Sequence, residues 1–445
     1  MTMIESLLVA NRGEIARRII RTAKRLGIRT IAVHSDVDAD LPFVAEADDA
    51  VAIGPANPAQ SYRNAEAILA AAKSTGARAI HPGYGFLSEN ADFARAVEAH
   101  GLIWVGPPAD AIAAMGDKIN ARNLMAEAGV PVAPGTHDPA ATVEAAIEAA
   151  ASIGYPVMVK AAAGGGGMGM AVAADEAGLR VEYDKVRAFA ERMFGDGSVL
   201  IERYFPRVRH VEVQILGLAD GRVIALSERE CSVQRRNQKL VEEAPSPAVG
   251  PQLRERLLTA AVQAGEAVGY RNAGTVECLL DPTTGEFFFL EMNTRLQVEH
   301  PITELIHGID LVEEQLRIAS GLDTNFQIKP TSGHAIELRI NAEDPKRFLP
   351  GPGKVTTWVE PTGEGVRVDS GYTAGTMVTP SYDSLMAKLI VFGADRDDAI
   401  AKARAAVAGF EIVGPKNNLP FFAELLTNDE FLAGDYDTGI VSRMR

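Results

Sequence analysis

The densest run of reactive side chains is Glu291-Met-Asn293-Thr-Arg295-Leu-Gln297-Val298-Glu299-His300-Pro301. It brings together two oxygen ligands, a guanidinium, an amide and a second acid. Few purely structural segments need so many unlike polar groups. A site that holds a metal-bound nucleotide beside a small anionic substrate does need them.

Other segments add to this run. Glu277 falls in one strand and Glu291 in the next, joined by Asp281-Pro-Thr-Thr-Gly285, a hairpin-type turn. Strand alternation puts Glu291 and Asn293 on one face, and a turn near Thr283 brings Glu277 opposite Glu291. Three oxygen donors then converge, as Mg²⁺ or Mn²⁺ bridging nucleotide phosphates requires. The alternative is solvated carboxylates on an exposed strand. Phe287-Phe-Phe289-Leu beside them predicts burial instead.

Lys160 ends a strand that leads directly into a glycine run, Gly164 to Gly167, and a second strand follows at 170–173. The run lies between two strands, not between a strand and a helix. No GxxxxGK[ST] occurs, which excludes a P-loop. Backbone N–H groups of such a hairpin can fold over phosphates, and Lys160 stands at its base. The plain alternative is a loose surface hairpin. Glu228-Arg-Glu-Cys231-Ser-Val-Gln234-Arg-Arg236-Asn237-Gln-Lys239 is a second polar cluster, either a surface basic patch or the wall of an anion site. His81-Pro-Gly-Tyr84-Gly-Phe-Leu-Ser88-Glu89-Asn90 follows a strand and opens a helix, with Ser88 or Glu89 expected near the N-cap. Cys231 and Cys278 have no partner pattern that would make either a nucleophile.

The elements that must position these residues fall into three units. An apolar run at 6–10, a helix at 14–26 and a strand at 29–34 open a doubly wound parallel sheet, extended by strands at 49–53, 79–81 and 103–105. The predicted units are an α/β domain at 1–115, a central region at 116–332 with a lid at about 132–203, and a β-rich unit at 333–445. A helix is expected over 115–129, antiparallel strands at 199–204, 210–216 and 223–229, and a helix at about 251–268. The last unit should carry a strand at 334–341, β-like runs at 354–359 and 365–369, a strand at 385–392 and a helix at 397–410.

At 445 residues the chain needs several cores. With 47% hydrophobic and 23% charged residues it reads as globular, and no apolar run approaches a membrane span. Forty-four basic against 59 acidic residues give a net charge of −15, which excludes a general nucleic-acid binder. Two cysteines and no signal-peptide pattern lead to a cytoplasmic expectation.

In this order the motifs resemble the biotin carboxylases of the ATP-grasp superfamily over nearly the whole chain. The resemblance runs from Asn11-Arg12-Gly13-Glu14-Ile15-Ala16 through 81–90, Gly116-Asp117-Lys118, the Lys160 loop, 228–243 and 291–301. It ends at Leu338-Arg339-Ile-Asn-Ala-Glu-Asp344 and Tyr382-Asp-Ser384. It implies an N-terminal α/β domain, an ATP-grasp region with a Gly-rich lid and a C-terminal β-rich domain. The implied reaction uses ATP, bicarbonate and Mg²⁺ or Mn²⁺, with two ions expected. It carboxylates biotin on a biotin carboxyl carrier protein by way of carboxyphosphate.

By that resemblance Lys118, Lys160, Gly165, Gly166 and Gly167 hold ATP phosphates. Glu202 and the backbone at Tyr204 contact adenine, and His210, Gln234 and Asn237 lie at the nucleotide. Glu277, Glu291 and Asn293 are the metal ligands. Lys239, Arg295, Gln297 and Val298 form the bicarbonate pocket, Glu299 is its base, and Arg339 and Tyr84 face biotin. Departures are Ala162, Ala163 and Met168 where the family carries Ser, Gly and Arg, and Asn237 where it carries His.

The sequence ends at Arg445 without a biotinyl or transcarboxylase segment, so the resemblance is to a stand-alone, often homodimeric subunit. Its partners would be the carrier protein and the carboxyltransferase. Acetyl-CoA carboxylase of fatty acid synthesis is the default expectation, with propionyl-CoA, pyruvate or urea carboxylase as alternatives. A rival ATP-grasp carboxylate–amine ligase lacks a reason for Arg295, Gln297 and Glu299 together with Arg339. An inactive nucleotide-binding protein would have lost the base or the metal acids. A Rossmann dehydrogenase lacks its GxGxxG.

Overall fold

The structure, a computed structural model, describes residues 2–162, 169–324, 326–327 and 331–445. Gly165, Gly166 and Gly167, with Ala163 and Met168, lie outside the described residues.

Five parallel strands form the first sheet: β1 (Ser6–Val9), β2 (Arg29–Ser35), β3 (Asp49–Gly54), β4 (Ala79–His81) and β5 (Ile103–Trp104). Their order is β3-β2-β1-β4-β5, so the strand order reverses between β1 and β4. A crevice opens at the carboxyl ends of the strands at such a point. There Asn11 Nδ2 donates to the carbonyls of Pro82 at 2.7 Å and Tyr84 at 2.8 Å, pinning the two loops together. Gly83 has φ +63, and a Cβ there would lie 2.8 Å from Asn11 Nδ2, so only glycine fits. The helix Gly13–Arg25 buries Ile15, Ala16, Ile19, Ile20 and Ala23 against the sheet. The helix Ala91–Ala99 is capped by Asn90, with Ser88 and Glu89 just before the cap as expected, and the Glu89 carboxylate is left available elsewhere.

The single helix expected over 115–129 is two, Ala109–Gly116 and Lys118–Glu127. Asp117 breaks the run because its carboxylate accepts from the N–H groups of Ile119 and Asn120, capping the second helix and setting Lys118 in its first turn. The lid is an antiparallel sheet of β6 (Val157–Ala161), β7 (Met170–Ala173) and β8 (Val199–Arg203) in the order β7-β6-β8. The helix Glu176–Phe194 covers it, an element absent from the sequence expectation; Leu179, Tyr183, Val186 and Ala190 form its buried stripe.

The floor is built from β9 (Arg209–Gly217), β10 (Val223–Arg235), β11 (Gln238–Ala244), β12 (Asn272–Leu280) and β13 (Phe287–Asn293). The last unit adds β14 (His334–Asn341), β15 (Gly353–Lys354), β16 (Thr357–Val359), β17 (Val366–Ser370), β18 (Met377–Val378), β19 (Leu385–Gly393) and β20 (Glu411–Val413). One eight-stranded antiparallel sheet, β13-β12-β9-β10-β11-β14-β19-β17, joins the two units. Strand β10 continues to Arg235, beyond the expected end at 229, because it pairs with β11 through a two-residue turn at Arg236 and Asn237. One apolar core runs from Leu7, Val9 and Ile15 to Leu338, Ile340 and Leu389. The sheet that carries the reactive residues is thus welded to the N-terminal unit.

Candidate active site

Between lid, floor and the β1–β4 crevice lies a cavity of about 1000 Å³. Every described site residue expected from the sequence lines it except Glu299. Glu299 is fully buried just behind the wall.

The acids come together as the strand pairing predicts, with Glu277 opposite Glu291 and Thr275 opposite Asn293. Burial differs from expectation. Glu277 and Asn293 are buried, but Glu291 is exposed to the cleft. The cause is a β-bulge: Cys278 pairs with Phe289 while Glu277 pairs with Glu291, leaving Leu290 extra. The bulge breaks the alternation, so Glu291 leaves the apolar face that Phe287 and Phe289 occupy. The three donors are all oxygens on neighbouring strands, the chemistry of Mg²⁺ or Mn²⁺ rather than of softer metals.

Glu277 is also a hub. His210 Nε2 lies 3.0 Å from one carboxylate oxygen; Lys239 Nζ at 2.8 Å and Gln297 Nε2 at 3.0 Å reach the other. Burial alone would raise its pKa, but Lys239 and His210 outweigh that and hold it low. Lys239 further contacts Glu212 and lies 2.7 Å from Glu299 Oε1. A buried ammonium among three carboxylates stays charged: burial opposes it, and the three acids raise its pKa well above the usual lysine range.

Arg295 is aimed by three side-chain acceptors: Glu89 at 3.0 Å, Asn293 Oδ1 at 2.7 Å and Gln297 Oε1 at 2.7 Å. Glu89 also accepts from the Thr294 N–H at 3.1 Å, so the first domain holds the loop that follows β13. Arg339, on β14, donates to Glu242 at 2.7 Å and to Glu299 Oε2 at 2.9 Å. Burial raises the Glu299 pKa, yet Lys239, Arg339 and Arg229 hold it well below the usual carboxylate range. Glu242 stands the other way: burial outweighs Arg339 and pushes it up to about 7. The Val298 carbonyl accepts from Lys388 Nζ at 2.8 Å, and the Gln297 carbonyl pairs with His300 Nδ1 at 2.8 Å.

On the lid side Lys160 pairs with Glu202, and Arg122 Nε lies 3.8 Å from the same carboxylate. The Tyr204 N–H donates to the Pro156 carbonyl at 3.0 Å, which leaves the Tyr204 carbonyl as the backbone group open to a ligand. Lys118 is half-buried; desolvation lowers its pKa, while Glu291 opposes the fall. Gln234 sits opposite Lys239 in the β10–β11 ladder, and Asn237 lies in the turn beyond it. At the far end Tyr84 donates its hydroxyl to Glu14. Both cysteines are buried and free, and burial pushes the Cys278 thiol up to about 12.

Sequence reasoning missed Glu14, Glu89, Glu212, Glu242 and Lys388. Two carried a signal. Glu212 alternates with His210 and Gln214 along a strand, and Lys388 interrupts the apolar run Met386 to Val391. Among the described residues no helix is long and apolar enough to cross a membrane.

A glycine-bearing lid over an antiparallel floor, with paired acids and converging cations between them, defines an ATP-grasp ligase. Comparisons with known proteins agree along the whole length. Residues 3–112 match the biotin carboxylase N-terminal domain, 117–326 the carbamoyl-phosphate synthase L chain ATP-binding domain and 337–443 the biotin carboxylase C-terminal domain. The biotin carboxylase of Pseudomonas aeruginosa is 49% identical over 435 residues, covering 97% of this chain and 96% of that one. A pyruvate carboxylase subunit of Methanothermobacter thermautotrophicus is 49% identical over 446 residues, covering 100% of this chain and 90% of its own. A Campylobacter jejuni biotin carboxylase–β,γ-ATP complex superposes with TM-score 0.95 at 44% identity over 99% of both chains. The biotin carboxylase domain dimer of Hydrogenobacter thermophilus 2-oxoglutarate carboxylase, bound to MgADP, ADP and bicarbonate, gives 0.95 at 43%, covering 100% of this chain and 98% of that one. The chain belongs to the biotin carboxylase family.

Proposed function

We propose that this protein uses ATP and bicarbonate to carboxylate biotin on a carrier protein, the first half-reaction of an acyl-CoA carboxylase. One observation carries the reading: Glu299, a buried carboxylate, is clasped by Lys239 and Arg339 beside the Arg295–Gln297 pocket. A small anion held by Arg295 that also drew Lys239 to itself would free Glu299 Oε1 from its ammonium and raise the basicity of the carboxylate.

In that reading Lys118 and Lys160 hold phosphate oxygens, and Lys160 leaves Glu202 to do so. Glu277, Glu291 and Asn293 would hold Mg²⁺ or Mn²⁺, which neutralises phosphate charge when bound. Arg295, Gln297 and the Val298 N–H orient bicarbonate, and Lys239 binds its oxygen. Glu299 takes its proton, and bicarbonate attacks the γ-phosphate to give carboxyphosphate, with ADP leaving. Breakdown of carboxyphosphate yields CO₂ and phosphate; the phosphate takes the ureido N–H proton of biotin, and the nitrogen attacks CO₂ to form the new N–C bond. Arg339, facing the cavity, stabilises the negative charge on the deprotonated ureido group of biotin near Tyr84. Orienting the two reactants in one closed cavity supplies much of the acceleration.

The acceptor of the carboxyl group is set by a carboxyltransferase partner, and acetyl-CoA is the default. Pyruvate is the second reading, because the archaeal relative covering the whole chain bears that name. Homodimer formation and residence in a reducing cytoplasm, which two buried free thiols suit, belong to the same proposal. The test is ADP release with ATP, Mg²⁺ and bicarbonate. Free biotin should stimulate it, and the reading fails if biotin changes nothing.

A further inference from the structure

Lys388 is a fully buried lysine on β19, a strand that is otherwise apolar over 386–391. Its Nζ donates to the Val298 carbonyl at 2.8 Å and lies 3.3 Å from Glu14 Oε2. The other Glu14 oxygen accepts the Tyr84 hydroxyl. Asp369, opposite Lys388 on β17, is already bound by Arg367 and Arg21. Among the described residues Glu14 is therefore the carboxylate within ion-pair reach of the ammonium.

A continuous chain of polar contacts, Val298–Lys388–Glu14–Tyr84, follows the cavity wall, with Lys388 behind it. It joins the loop that lines the small-anion pocket to the tyrosine at the far end. Stability does not explain it. A buried lysine–carboxylate pair loses about as much in desolvation as it gains in attraction, and apolar replacements of equal volume are often neutral. What the pair does supply is a fixed orientation. His300 on the Gln297 carbonyl fixes the peptide that carries the Val298 N–H, and Lys388 on the Val298 carbonyl fixes the next peptide, which leads into Glu299; together they hold the backbone on both sides of Val298.

We propose that Lys388 and Glu14 are positioning residues that hold the anion pocket and the acceptor pocket in register. This rests on the proposed function. Neither residue touches the reacting atoms in it; both act through Val298 and Tyr84.

The test compares Michaelis constants for bicarbonate, biotin and ATP in the unaltered protein, Lys388→Met, Glu14→Gln and the double variant. Lys388→Met should raise the bicarbonate constant roughly tenfold, as loss of an outer support commonly does, with the ATP constant unchanged. Glu14→Gln should raise the biotin constant. The double variant should show less than the product of the two effects, because both break one chain. It also removes both charges of the ion pair together, so it reports even if Lys388→Met alone does not fold. Unmoved bicarbonate and biotin constants, or an ATP constant that moves with them, would overturn the inference while biotin-dependent turnover of the unaltered protein upholds the proposed function. No biotin-dependent turnover in the unaltered protein would overturn both.

Discussion

Nη2 of Arg339 lies 2.9 Å from Oε2 of Glu299, although one sits on β14 and the other on the loop beyond β13. With Lys239 at 2.7 Å from Oε1, both oxygens of the carboxylate are claimed by cations. The acid is ionised and poorly basic in this state, and gains basicity when an anion draws Lys239 away.

Glu299→Gln keeps the shape and removes the base. We expect biotin-dependent turnover to fall roughly 10²- to 10⁴-fold, the usual contribution of a general base. Nucleotide binding, measured by calorimetry, should survive. Turnover within twofold of the unaltered protein would exclude Glu299 as the base.

Glu291 and Glu277 should separate metal binding from folding. Glu291 is exposed, so Glu291→Gln should raise the Mg²⁺ concentration for half-maximal activity roughly tenfold. Its unfolding free energy should move by about 0.5 kcal/mol or less. Glu277→Gln loses the charge that holds Lys239 and His210 and should also cost about 1–3 kcal/mol. Equal stability of the two variants in urea would contradict the bulge-based difference in burial.

His81 makes stability depend on pH. It is fully buried on β4; Nδ1 accepts from the Gly83 N–H at 3.0 Å and Nε2 faces Gln315 Oε1 at 3.2 Å, so the ring is neutral. Burial lowers its pKa to about 4 from the ordinary 6.5, against a smaller opposing pull from Gln315. Between those values the unfolded chain binds more protons, so this contribution is full above 6.5 and shrinks as pH falls toward 4. Buried His300, lowered by burial and then by Lys388, acts in the same direction. Urea unfolding of His81→Gln should show a shallower loss over this window. Parallel curves for variant and parent would refute the assignment.

Asn237, a departure expected from the family resemblance, sits in a turn whose geometry suits it. Arg236 and Asn237 have φ of +50 and +66, a left-handed pair in which Asn and His are both accepted and β-branched residues are not. Asn237→His should keep the fold and lower the Michaelis constant for ATP by adding a protonatable donor at the nucleotide end. Asn237→Val should destabilise the hairpin by about 1–2 kcal/mol. An unchanged ATP constant in Asn237→His would place residue 237 away from the nucleotide.

The parallel opening domain, the lid strands and the Glu277–Glu291 pairing were legible because period-2 alternation and turn residues are local signals. Exposure of Glu291 was not, since one extra residue at Leu290 reverses the face and leaves no mark in composition. The split at Asp117 was readable in principle, as an acid able to cap the residues after it. The supports of the site are different. Glu89 on Arg295, Glu242 on Arg339 and Lys388 on Val298 pair across 90 to 206 positions of sequence and follow only from the folded sheet order. Glu299 was legible as a reactive acid by resemblance, but not its burial behind Lys239 and Arg339.

The central claim is that ATP drives carbon from bicarbonate onto biotin in this cavity. Labelled bicarbonate, ATP, Mg²⁺ and biotin should give acid-labile label on biotin in proportion to ADP formed, and Glu299→Gln should form it roughly 10²- to 10⁴-fold more slowly. ADP formation with no label on biotin, or the same label in the variant, would contradict the account.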